Sequence, residues 1–214
     1  GAMVAVIMMG FAHGGSMLDP QITPLVPVLK SYWLIVHVAI IVSSYGFFGL
    51  SAILGVFSLI IMLIKPNKKI EISLKEMTYV SEMSLTIGIY LLTVGTFLGG
   101  MWANESWGRY WSWDPKETWA FVSVIVYAIV LHMRLVPGLR GKFAFNVAAM
   151  WAIWAIIMTY FGVNYYLSGL HSYAAGDPIP VPLWVYLTAL GMVVLTFVSW
   201  YFHHKVHHVK EKPE

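Results

Sequence analysis

Thirteen consecutive residues, Trp107-Gly-Arg-Tyr-Trp111-Ser-Trp113-Asp-Pro-Lys-Glu-Thr-Trp119, hold four tryptophans, a tyrosine and four charged side chains between two long apolar stretches. Indole faces stack on flat ligands, and Trp suits a membrane interface, where one end of the ring is apolar and the other wet. The chemistry this points to is the holding of a flat, amphipathic ligand at a membrane surface. An interfacial aromatic belt would account for two or three of these tryptophans. It would not account for the ordered Trp113-Asp-Pro-Lys-Glu-Thr-Trp119 string.

The histidines extend the reading. His37 precedes Lys65 by about 40 Å of helix at 1.5 Å per residue, which sets it at the outer rim of a first span. His171 follows the fourth apolar stretch by a few residues. Two imidazoles flanking an aromatic platform are what a planar metal complex with axial ligands requires, and neutral imidazole is a common iron ligand. The alternative for each is a rim histidine bonded to a carbonyl. His132 differs, lying about 20 Å deeper than Trp119 along the third span; it is either a ligand or an interfacial residue. His203, His204, His207 and His208 follow the last span and read as a solvated tail rather than a metal site. His13 reads as a loop residue. A zinc site wants three or four clustered ligands, and none gathers outside the tail.

Arg109 and Lys116 are basic residues within the Trp-rich segment. They suit the propionates of a porphyrin, since guanidinium and ammonium groups make charge-assisted bonds to carboxylates. Headgroup orientation is the alternative for both. Asp114, Pro115 and Glu117 read as N-cap, first position and first turn of a helix, so their first task is to aim the loop.

The elements that must position these residues are spans. Of 214 residues, 59% are hydrophobic and 11% charged, against about 25% charged in a soluble domain; mean hydropathy is +0.73. The fold class is all-α, a polytopic membrane bundle. Spans need about 20 apolar residues each, and five segments qualify: 33–64, 78–99, 117–133, 145–167 and 182–202. A short apolar segment, Val4–Phe11, precedes them, and Gly1-Ala-Met3 reads as a cloning remnant. Turn chemistry marks Lys65-Pro66-Asn67, Gly99-Gly100, Pro137-Gly138 and Gly176-Asp177-Pro178. The expected organisation is an N-terminal segment over 1–19, a membrane domain carrying the Trp motif over 20–203, and a tail over 204–214.

Charge sets the orientation. Segments 65–77, 134–144 and the tail lie on one side of a five-span bundle and carry ten of the thirteen basic residues; Lys30, Arg109 and Lys116 are on the other. By the positive-inside rule the tail is cytoplasmic and the Trp-rich loop external. With no cysteine in the chain, a disulfide, a thiolate metal site and a thiol nucleophile are excluded.

At this point the residues resemble a family. The Trp107–Trp119 string is similar to the WWD signature of haem-handling membrane proteins. Its Asp114-Pro-Lys-Glu-Thr-Trp119 ending resembles the CcsA (ResC) branch of System II cytochrome c biogenesis, and the System I relatives CcmC and CcmF differ after the Trp-Asp pair. The stretch from Pro27 through His37 to Tyr45-Gly-Phe-Phe48 is similar to the same family, and the resemblance covers most of 20–203. It implies that His37 and His171 are the axial ligands of haem b at an outer site, with Trp107, Trp111, Trp113, Asp114 and Trp119 as its platform. It implies that His132 contacts haem at an inner site, whose second histidine belongs to a ResB (CcsB) part with no evident counterpart here. The family has further N-terminal spans, so the chain reads as part of a longer or fused protein, or as a minimal member.

The function implied is haem transport to the outer face of a bacterial cytoplasmic membrane and presentation of haem for covalent attachment to apocytochrome c. The resemblance implies that the chain is a component of a haem–apocytochrome c synthase, a lyase-type activity that forms thioether bonds. Its partners would be the Cys-x-x-Cys-His segment of apocytochrome c, a ResB/CcsB-like membrane protein, thiol-reducing thioredoxin-like proteins and membrane lipid. One alternative is a haem carrier of the CcmC type without thioether formation, which the residues after Asp114 disfavour. Another is a membrane cytochrome b, which would favour paired histidines at mid-membrane.

Overall fold

The computed structural model describes Val6 and residues 30–64, 67–171 and 180–210, with side chains to residue 204. The chain divides into two units, Gly1–Ser31 and Tyr32–Glu214; every helix below belongs to the second. His13, most of Val4–Phe11, the turn at Gly176-Asp177-Pro178 and the side chains of His207 and His208 lie outside the described residues.

Five helices are long and apolar enough to cross a membrane, and no strand occurs among the described residues. They are α1 (Tyr32–Ile61), α2 (Lys68–Trp107), α3 (Pro115–His132), α4 (Lys142–Ile157, whose span reaches Tyr166) and α5 (Leu183–Lys210). Lipid offers no hydrogen bonds, so an isolated spanning segment must satisfy its backbone internally, as a helix does. α4 runs on through a π turn, Met158–Gly162, into a last turn at Val163–Tyr166.

One boundary differs from expectation. The second span was expected to stop at a Gly99-Gly100 turn, but α2 continues through both glycines for 40 residues, about 60 Å at 1.5 Å per residue. It ends at Gly108, whose φ of 70° is the left-handed cap and whose N–H donates to the Asn104 carbonyl at 2.8 Å. Gly99 and Gly100 serve close approach rather than a turn. A Cβ on Gly99 would stand 3.4 Å from the His37 ring, and one on Gly100 would stand 3.1 Å from the Tyr110 carbonyl oxygen. Trp102 and Trp107 therefore project from a helix, not from a loop.

Small residues draw the helices together, as they must where lipid supplies no hydrophobic drive between spans. On α2, a Cβ at Gly95 would stand 2.5 Å from Ile41 Cγ1, and one at Gly88 would stand 2.7 Å from the Phe48 ring. On α1, a Cβ at Gly55 would lie 2.9 Å from the Asn146 carbonyl oxygen of α4. Phe48 stacks on Tyr127 at 3.7 Å in a core with Leu85, Leu92 and Phe145. Hydroxyls and amides tie the interior: Ser51 to Ser81 at 2.7 Å, Asn146 to Thr78 at 3.0 Å, and Ser123 to Thr159 at 2.9 Å. Each such bond contributes about 0.6 kcal/mol.

The pairs 41/95, 48/88 and 51/81 show α1 and α2 antiparallel, and Ser123–Thr159 with Lys116–Asn164 show the same of α3 and α4. One end of the bundle thus gathers the start of α1, the end of α2, the start of α3 and the end of α4. At the other end Arg134 pairs with Glu82 at 2.7 Å and lies over the rings of Tyr79 and Phe145. α5 is held near its middle, where Ser199 donates to the Leu59 carbonyl and Trp151 to Thr196.

Candidate functional site

The site is built from the start of α3. Asp114 caps it, with Oδ2 accepting from the Lys116 N–H at 3.0 Å, and Glu117 completes a capping box. Glu117 Oε2 also accepts from the Ser112 N–H at 2.8 Å and from the Asp114 N–H at 3.3 Å. These bonds hold Trp113 at φ 60°, a left-handed conformation that costs a bulky residue about 1–3 kcal/mol. The outcome is an indole turned outward, 69% exposed and edge-on to Trp111.

The buried Asp114 carboxylate also reaches across the fold. Its Oδ1 accepts from the Leu170 N–H at 2.5 Å, and its Oδ2 lies 2.8 Å from His171 Nδ1. Burial holds the His171 pKa below the ordinary imidazole value, outweighing the Asp114 hydrogen bond that pulls it up. The contact is therefore a hydrogen bond from a neutral ring. A carboxylate can only accept, so Nδ1 carries the proton and Nε2 keeps its lone pair. His37, on the second turn of α1, has the same tautomer: its Nδ1 donates to the Trp33 carbonyl at 2.8 Å.

Trp102, buried to 1% exposure, joins the two histidines. Its ring centroid lies 5.3 Å from that of His37 and 5.3 Å from that of His171, so the imidazoles are no farther apart than twice that distance. Trp107 stands edge-on to both Trp102 and His171, at 4.8 and 5.0 Å. A cavity of about 190 Å³ is lined by both histidines, Trp102, Tyr110, Trp111 and Lys116. An apolar cavity of about 820 Å³ adjoins it, and the two share Thr96, Gly100, Tyr110 and Trp111 as walls.

His37, His171, Trp107, Trp111 and Asp114 thus converge, and Trp113 lines the larger cavity. Lys116 faces the smaller one, with Nζ donating to Asn164 Oδ1 at 2.8 Å. Arg109 is exposed just beyond the end of α2. Trp119 lines neither cavity; its carbonyl accepts from Ser123 and Thr159 and fastens α3 to the π turn of α4. His132 is at the far end of α3, exposed, with Nδ1 donating to the Ala128 carbonyl at 2.7 Å. Trp102 lies ahead of the Trp107–Trp119 string, and its helical spacing from Gly99 on α2 is the signal that sets it beside His37.

Residues 1–171 match the family model described as Cytochrome C assembly protein. Protein NrfI of Wolinella succinogenes is 50% identical, over 82% of this chain and 20% of NrfI. The cytochrome c biogenesis protein CcsA of Chlamydomonas reinhardtii is 40% identical, over 72% of this chain and 44% of that protein. CcsA of Cyanophora paradoxa is 33% identical, over 80% of this chain and 67% of that protein. The chain spans from a fifth to about two thirds of the length of these relatives.

Proposed function

The chain belongs to the cytochrome c assembly protein family, and on that premise we propose that it carries haem b between His37 and His171 and presents it for covalent attachment to an apocytochrome c. One observation carries the reading: two imidazoles share one buried indole, and each has its Nδ1 proton committed to an acceptor, which leaves the ring's lone pair on Nε2. Axial ligation of iron needs that tautomer on both sides.

The surroundings suit a porphyrin. The larger cavity falls within the roughly 300–1,000 Å³ of small-molecule sites, and Tyr110 and Trp111 part it from the histidines. A ligand as broad as a tetrapyrrole would take both spaces and turn those two rings aside. Lys116 and Arg109 are the cations for its propionates. The thiols that add to the vinyl groups come from the Cys-x-x-Cys-His segment of the apocytochrome, kept reduced by thioredoxin-like proteins, since this chain has no cysteine. His132, at the opposite end, is the inner contact for arriving haem and needs a second donor from a ResB/CcsB-like partner. The membrane is the bacterial cytoplasmic membrane, with the Trp-rich end outside.

The test is a visible spectrum of the purified, haem-loaded protein, oxidised and reduced. The wild type should show a bis-histidine haem, and His37→Ala and His171→Ala should each lose it. Wild-type spectra in both variants would end the assignment.

A further inference from the structure

We propose that the two histidines are inequivalent: Asp114 makes His171 the ligand that stays on the cargo iron, and His37 is the one an incoming imidazole replaces. The inference rests on the haem reading above and adds an order of exchange to it.

The difference lies in what each Nδ1–H donates to. For His171 the acceptor is a carboxylate at 2.8 Å. Such a bond fixes the ring and raises the donor strength of Nε2 toward a metal. For His37 the acceptor is the neutral Trp33 carbonyl, four residues earlier on the same helix. The carboxylate is itself immobilised, buried and holding the N–H groups of Leu170 and Lys116 at 2.5 and 3.0 Å. His171 is therefore tied to the Trp-rich loop and to its own segment at once. His37 turns away by giving up one local bond to a neutral acceptor.

The exchange balances simply. The Fe–Nε2 bond to His37 breaks, one Fe–N bond to the imidazole of the Cys-x-x-Cys-His segment forms, and no electron moves. His37 keeps its Nδ1 proton throughout. Asp114 is a positioning residue, acting on the iron only through His171.

The test is resonance Raman spectroscopy of the ferrous, haem-loaded protein after carbon monoxide has displaced the weaker ligand and been photolysed. The remaining Fe–histidine stretch reports the retained ring. A carboxylate-bonded imidazole gives a stretch at higher frequency than a carbonyl-bonded one, so Asp114→Asn should shift it down. Because Asp114→Asn also weakens a helix cap, the single ligand variants give an independent arm. His37→Ala should reproduce the wild-type photoproduct stretch, and His171→Ala should give a lower one. A wild-type stretch that matches His171→Ala would overturn the order of exchange while leaving the haem reading intact. Absence of any bis-histidine spectrum in the wild type would instead sink the haem reading, and this inference with it.

Discussion

At Gly169 a Cβ would run into Asp114 Oδ1 and stand 2.8 Å from Pro115 Cδ. The backbone comes this close because the next residue gives its N–H to the same carboxylate. Gly169→Ala should therefore push Asp114 off His171 and leave the helices in place. On the proposed haem ligation, the bis-histidine spectrum should weaken with unchanged helical circular dichroism; an unaltered spectrum would contradict the contact. His171 carries a second prediction, in the haem-free protein. Its folded pKa lies below the ordinary value of about 6.5 because burial dominates; Lys116 adds to the lowering, while Asp114 and Glu117 oppose it. Between the folded and unfolded values the unfolded chain binds more protons, so stability rises with pH. The contribution is whole above about 6.5 and is lost as pH falls through the lowered folded value. Melting temperature should drop over that window in the wild type and drop less in His171→Gln.

The closest approach of α1 to α2 is made at glycines. Gly95 is pressed on Ile41, with a Cβ contact of 3.2 Å even to the Ile41 backbone nitrogen. Gly95→Leu must part α1 from α2, which costs roughly 1–3 kcal/mol in a packed interior. Gly46→Leu is the control, since a Cβ there meets nothing within 4 Å. We expect the first to lower the melting temperature in detergent and the second to leave it unchanged, read by tryptophan fluorescence. Much at this scale was legible in the sequence. The charge-free run of α1 and the Asp114-Pro-Lys-Glu cap announce their elements because local chemistry decides them. Gly99-Gly100 did not, because a glycine pair signals a turn only where no neighbouring helix needs the space. The π turn at Met158–Gly162 has no local marker either; it sets Thr159 against the Trp119 carbonyl, and only the partner helix reveals that. The Asp114–His171 bond spans 57 residues, so spacing could name both ends but not join them.

Taken as a whole, the bundle has two chemically distinct ends. His37, Trp102, Trp107, Asp114 and His171 gather at one, and Lys68, Arg134, Arg140 and Lys142 at the other, because the antiparallel helices sort them so. Under the positive-inside rule this polarity supports the proposed orientation, in which the lysine- and arginine-rich end would face the cytoplasm. On the proposed function, orientation decides whether the histidine pair could meet an apocytochrome, since the thioether bonds would form on the side where the cytochrome is delivered. A chain without cysteine permits a clean test. Glu105→Cys and Arg140→Cys each place one thiol on an exposed position at opposite ends of the bundle. A membrane-impermeant maleimide added to intact cells should label Glu105→Cys and should reach Arg140→Cys only after lysis. The reverse pattern would put both imidazoles on the cytoplasmic face and overturn the proposed orientation.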